Sequence, residues 1–250
     1  MEVHHHPDLH HRRKKFREYF LEFIMIFLAV TLGFIAENLR EYIADGVKAQ
    51  EYAKSLYDDL KSDSVTLGVI TGFDEWKLNK VDSLILLLKM PDKHQHEQGL
   101  YYYQAHMDLE LTFVAVDITG QQLRNSGGMR YFKNPELYRA IAEYYGWVNF
   151  YIEKAKERRI VIPNSLLAQI FQTDILTGLE EISPDIENCT KMPPTDVKLI
   201  GSDKLALNEY FLYVGKLKTG TELSIYFLKG QIRNDLYKLM GILRKEFDVQ

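Results

Sequence analysis

A run of fourteen uncharged residues, Phe23 to Ala36 (Phe-Ile-Met-Ile-Phe-Leu-Ala-Val-Thr-Leu-Gly-Phe-Ile-Ala), constrains this chain more than any other feature. At the helical rise it covers ~21 Å, and extending it back to Tyr19, which adds the single charge of Glu22, brings it to ~27 Å. A hydrocarbon core is about 30 Å thick, so the longer stretch crosses it when Glu22 sits at headgroup level. Three other structures compete: a buried core helix, a cleaved signal peptide and an amphipathic helix lying on a surface. The run is apolar all round, against the surface helix. Phe34 stands two positions before Ala36, where a cleavage site wants a small residue. A core helix leaves the flanking charges unexplained.

Those flanks orient a membrane helix. Arg12, Arg13, Lys14, Lys15 and Arg17 precede the run, whereas Arg40 and Lys48 follow it among Glu37, Glu41, Asp45 and Glu51. The positive-inside asymmetry then keeps the N-terminus in the cytoplasm and puts everything after about Asn38 outside, which in a bacterium is the periplasm. Tyr19, Phe20 and Tyr42 stand where interfacial aromatics are expected. At 100° per residue, Ile26, Ala29, Gly33, Ala36 and Arg40 fall within about 40° of the line through Glu22. Ala29 and Gly33 make a small-xxx-small pair that lets helix backbones approach in lipid, so Glu22, Ile26, Ala29, Gly33 and Ala36 form the candidate helix-association face. Glu22 and Glu37 read as interfacial carboxylates.

Five of the eight histidines, His4, His5, His6, His10 and His11, crowd into the expected cytoplasmic tail. Neutral imidazoles ligate zinc, copper or nickel, so these five are the candidate metal ligands, with poor specificity because only Asp8 accompanies them.

The stretch from His4 through His11, followed by Phe16-Arg17-Glu18-Tyr19-Phe20-Leu21-Glu22 and on through Gly33-Phe34-Ile35-Ala36-Glu37-Asn38-Leu39-Arg40-Glu41, resembles the N-terminal signature of a family of uncharacterised single-span membrane proteins typical of Bacteroidota, a domain of unknown function. Farther on, Leu123-Arg124-Asn125-Ser126-Gly127-Gly128-Met129-Arg130 is similar to a Leu-x-Asn-Ser-Gly-x-hydrophobic-Arg stretch of the same family, with Gly128 and Tyr131 departing from its commoner pattern. The resemblance implies membrane location and no reaction.

Composition narrows the remainder. Of 250 residues 46% are apolar and 26% charged, the makeup of a folded chain of one to two domains. Thirty-one basic against thirty-five acidic residues leave a net charge of −4, so no general attraction to nucleic acid is available. The single cysteine, Cys189, excludes an intrachain disulfide and a cysteine-based zinc site. Helical periodicity continues through Ile43, Val47, Tyr52, Leu56 and Leu60, then through Ile70, Phe73, Trp76, Val81, Leu84 and Leu88 to the stop at Pro91. Gly68 and Gly72 weaken an unbroken rod and leave a fold-back hairpin as the alternative to a stalk. His94 and His96 beside Asp92 and Glu97 read as a solvated loop rather than a second metal site, and Tyr101, Tyr102 and Tyr103 as core aromatics.

Thr119 with Gln122 fits a capping box and Gly127 a C-terminal stop, predicting a short helix over 119–127. Asn134-Pro135-Glu136 is a strong helix start, and the two helices are expected to lie antiparallel about Gly127-Gly128. Arg124 and Arg130 flank that turn as candidate contacts for an anion or a carboxylate, with local acids such as Glu136 the commoner partners. A further short helix is expected at Pro163 to Phe171, a loop with Cys189 at Ser183 to Pro194, helices over Ser202 to Leu217 and Glu222 to Phe247, and short β segments at Phe113 to Val116 and Val197 to Ile200. Asn188-Cys189-Thr190 is a formal glycosylation sequon that a bacterial chain seldom uses. Gly127-Gly128 lacks a P-loop ending, and neither a nucleophile elbow nor a His-Glu-x-x-His helix is present.

The sequence therefore reads as mainly α: a cytoplasmic His- and Arg/Lys-rich tail over 1–18, a transmembrane helix over 19–37, a helical stalk or hairpin over 38–90 and a periplasmic helical-bundle domain over 91–250. The expected function is that of a bitopic inner-membrane protein acting as a scaffold or sensor-like interaction module. It is expected to be a homo-oligomer, not an enzyme, and to have no cofactor, with membrane lipid and an envelope protein as partners. The alternatives are a subunit of a small oligomeric ion pathway ringed by Glu22 and Glu37, and a hydrolase with an unrecognised site.

Overall fold

A helix starting at Phe16 takes in the whole apolar run. This helix, α1 (Phe16–Lys89), is 74 residues long. The computed structural model describes residues 16–105, 107, 109–172, 198–199 and 204–249. The His-rich tail with His4, His5, His6, His10 and His11, the cluster Arg12 to Lys15, His106 and Cys189 lie outside the described residues, as does the expected loop around that cysteine. Two units divide the chain, Met1–Glu51 and Tyr52–Gln250.

In the first unit the described residues are all helical. Thr31 Oγ1 donates to the carbonyl of Phe27 at 2.8 Å, which satisfies the hydroxyl inside the helix, and the rings of Phe23 and Phe27 stack 6.2 Å apart. Arg40 grips Glu37 through two hydrogen bonds at 2.9 and 2.5 Å.

In the second unit α1 runs on through Gly68 and Gly72 without a break, so residues 52–89 hold no hairpin turn. Nor do they stand apart as a stalk: Ala53, Leu56, Leu60, Leu67, Ile70, Val81 and Leu84 are buried in the core of this unit. Alternating steps of three and four residues keep one stripe of the helix facing inward, and two glycines at about 1 kcal/mol each do not outweigh that burial.

Around the stripe are α2 (Glu97–Ala105), α3 (Ile118–Asn125), α4 (Pro135–Arg158), α5 (Asn164–Ile170), α6 (Lys204–Phe227) and α7 (Arg233–Phe247), with short 3-10 turns at Lys93–Gln95 and Gly128–Tyr131. Among the described residues one antiparallel pair of two-residue strands, β1 (Phe171–Gln172) and β2 (Lys198–Leu199), matches Phe171 with Leu199. The protein is mainly α-helical, as its periodicity indicates.

Local details differ from the sequence expectation in three places. Helix α3 starts at Ile118, and Thr119 is no cap: its backbone N–H donates to Asp59 Oδ2 at 3.1 Å. The expected strand at Phe113 to Val116 does not form; the Val116 N–H goes to Asp63 Oδ1 at 2.7 Å and its carbonyl accepts from Tyr145 Oη at 3.2 Å, side chains rather than a ladder. Helix α4 packs chiefly on α7 rather than forming a hairpin with α3. By contrast Gly127 adopts φ +69° and stops α3, while Asn134 caps α4, its side-chain oxygen accepting from Glu136 N–H at 2.9 Å.

Between α6 and α7 the chain does not turn. A π-helical segment, Leu228–Ile232, joins them directly. Its wider turn re-phases the inward face, so that Tyr210 and Val214 on α6 and Leu236, Leu239 and Leu243 on α7 all reach the interior.

Candidate functional site

Charged side chains rarely enter a helical core, and this core contains Asp63, Asp74, Lys77 and Asp235. Three of them interrupt the inward stripe of α1. Asp63, wholly buried, accepts from Tyr144 Oη at 2.6 Å and from Val116 N–H. Burial raises its carboxyl above the usual range, against the pull of those two donors, and the same burial raises the Tyr144 phenol. The arrangement ties the segment before α3 to α1 and α4. It is a structural clamp.

Around Asp74 the geometry is more open. Ser224 Oγ on α6 donates to Asp74 Oδ2 at 2.6 Å, and Tyr151 Oη on α4 lies 3.0 Å from the same hydroxyl, a chain of three groups from three helices. Lys77, one turn on from Asp74, donates to the carbonyl of Leu109 at 2.8 Å. These groups border a cavity of about 60 Å³ together with Glu110, Thr221, Arg158 and Arg159. Burial raises the Asp74 carboxyl, opposed by Ser224, Lys77 and Arg158, and the Tyr151 phenol is raised for the same reason.

Arg158, near the C-terminus of α4, has its guanidinium carbon 6.0 Å from the Tyr151 ring centre and 5.8 Å from that of Phe227. Its Nη2 is buried and has no hydrogen-bond partner among the described residues. Arg158 is among the residues that border the polar cavity, and a guanidinium is a donor suited to anions.

The residues singled out from sequence are distributed otherwise. Ile26, Ala29, Gly33 and Ala36 are exposed along the first unit, Glu22 is half-buried, and a Cβ added at Gly33 meets nothing within 4 Å. Arg124 Nη2 pairs with Asp117 Oδ2 at 2.5 Å and its guanidinium stacks on Tyr145. Arg130 lies over Tyr131 and donates to its hydroxyl at 3.2 Å. The Glu136 backbone N–H donates to the Asn134 side chain. His94 faces Glu97 at 3.4 Å and His96 faces Asp92 at 3.8 Å. Among the described residues no group of three or more His, Cys, Asp or Glu side chains is placed to hold a metal ion.

No family model, curated protein or solved structure matches this chain.

The most apolar window of α1 has a mean hydropathy of 2.2 over eighteen residues, and none of it is buried. By length and composition this is one helix able to cross a membrane.

Proposed function

We propose that the protein is a bitopic inner-membrane protein: a cytoplasmic N-terminus, a span over 19–37 and a helical domain in the periplasm that acts as a scaffold or sensor-like interaction module. The observation that carries the reading is the unburied window of α1. Side chains such as Ile26 and Phe34 are 66% and 68% exposed, and a contiguous greasy surface of that size needs a cover, which lipid tails supply. The resemblance of residues 4–41 to single-span proteins agrees with it. Copies associate through Glu22, Ile26, Ala29, Gly33 and Ala36, where open space over Gly33 admits a neighbouring backbone. Glu37 is ion-paired with Arg40, which favours an interfacial role over the mouth of a pore.

Single cysteines at Ala29 or Gly33, introduced in full-length protein carrying Cys189→Ser, test the association. Oxidation in native membranes is expected to give dimers at these positions and not at Phe27. Monomers at all three positions remove the oligomer from the proposal.

A further inference from the structure

The Arg158 cavity has a second neighbour. Arg158, Ile160 and Gly220 also border an open groove of about 670 Å³ that runs along α6 past Phe211, Leu212 and Leu223. Gly215 and Gly220 line it, and a Cβ at either would meet nothing within 4 Å, so the groove has an unfilled floor. One end is therefore polar and closely lined, the other wide and apolar.

We propose that this junction binds a single-chain amphiphile with a small anionic head, the head on Arg158 and the tail along α6. Three observations converge on that chemistry. Arg158 borders both the small cavity and the groove, its Nη2 has no hydrogen-bond partner among the described residues, and a turn of the side chain from between the Tyr151 and Phe227 rings brings that donor to the cavity. Around the small cavity three cations, Lys77, Arg158 and Arg159, meet two acids, of which Glu110 faces Arg159 at 3.7 Å and Asp74 accepts from Ser224, leaving a net charge of one positive. A cavity of about 60 Å³ admits a compact head and excludes a bulky one, while the path from Leu212 to Leu223 gives a tail ~16 Å of apolar helix face. A free small anion would leave the groove uncovered. An uncharged lipid would leave Nη2 unpaired. The site lies wholly in the second unit and does not rest on the anchor reading, which stands or falls by its own test.

The experiment uses full-length protein in lipid nanodiscs and a dodecanoate probe carrying a terminal diazirine, with the photolabelled residues mapped by mass spectrometry. Labelling is expected to concentrate between residues 211 and 223, and to be competed by dodecanoate or dodecyl phosphate but not by dodecanol. The better of the two competitors identifies a carboxylate or a phosphate head. Arg158→Gln is expected to cut labelling about tenfold or more, the loss of one charge-assisted hydrogen bond. Leu212→Glu, at a groove position that is 57% exposed and about three turns from Ser224, is expected to do the same without touching the fold, so the test survives if Arg158→Gln destabilises the helices. Labelling spread evenly over apolar residues, equal competition by dodecanol, or labelling that persists in a folded Arg158→Gln protein overturns the proposal.

Discussion

Asp63, Asp74 and Lys77 occupy positions of α1 where a helical core wants leucine. Ala53, Leu56, Leu60, Asp63, Leu67, Ile70, Asp74, Lys77, Val81 and Leu84 follow one another at steps of three or four, and all are buried. A polar residue in phase with such a stripe is retained only when the fold supplies its partners. For Asp63 they are Tyr144 Oη and Val116 N–H, and for Asp74 the hydroxyl of Ser224. That signal is present in the sequence beside a competing one, since Phe73 and Trp76 also keep a helical period. Ser224 and Tyr144 themselves are not foreseeable, since they come from positions 150 and 81 residues away. Tyr144→Phe leaves a buried carboxylate without its shortest donor and is expected to cost about 1.5–3 kcal/mol in chemical denaturation. The carboxyls of Asp63 and Asp74 lie above their unfolded values, so the folded state holds their protons more tightly. Their contribution to stability is full below the unfolded value of about 4 and is lost as pH rises through the higher folded value. Wild-type protein should therefore gain stability relative to Asp74→Asn as pH is lowered from 7 toward 4. A difference between the two that stays flat contradicts the burial assignment.

At the scale of elements, the helices with strong terminal chemistry were legible and those set by tertiary contacts were not. Asn134-Pro135-Glu136 starts α4, and Asn134 also donates from Nδ2 to Glu246 Oε2 at 2.9 Å, tying it to the end of α7. Asn134→Ala is expected to lower stability by about 1 kcal/mol, read as a shift in denaturation midpoint. Gly127→Ala places a Cβ at φ +69° with open space around it, so its expected cost of about 1–2 kcal/mol is purely conformational. Thr119 and Gln122 match a cap by pattern, while the acid that takes the Thr119 N–H, Asp59, sits on α1, 60 residues away. The gap expected between Leu217 and Glu222 lies inside α6, which runs unbroken to Phe227, and the actual join, the π turn at Leu228–Ile232, has no local signal. Inserting one further residue between Leu228 and Ile232 advances α7 by about 100° about its axis. Leu236, Leu239 and Leu243 would leave the core, and calorimetry should show a lower melting temperature or no cooperative transition.

For the whole molecule, the mainly helical class and an N-terminal helix long and apolar enough to cross a membrane were both readable from the sequence, because each rests on an uninterrupted local pattern. The distribution of residues 52–89 was not. A stripe every three or four residues tells that a helix is covered on one side without telling what covers it, and part of the cover is distant in the chain, Tyr144 of α4 lying 81 residues from Asp63 and Ser224 of α6 150 from Asp74. The membrane claim depends on lipid, rather than protein, surrounding Phe23 to Ala36, and the depth of a spin label measures that contact directly. Nitroxides at Phe27 and at Asp45, each in full-length protein carrying Cys189→Ser and reconstituted in bilayers, report collisions with oxygen, which concentrates in the hydrocarbon, and with a water-soluble nickel chelate. The account predicts high oxygen and low nickel accessibility at position 27 and the reverse at position 45. A label at position 27 that meets nickel as readily as one at 45, or that is shielded from both reagents, would contradict it.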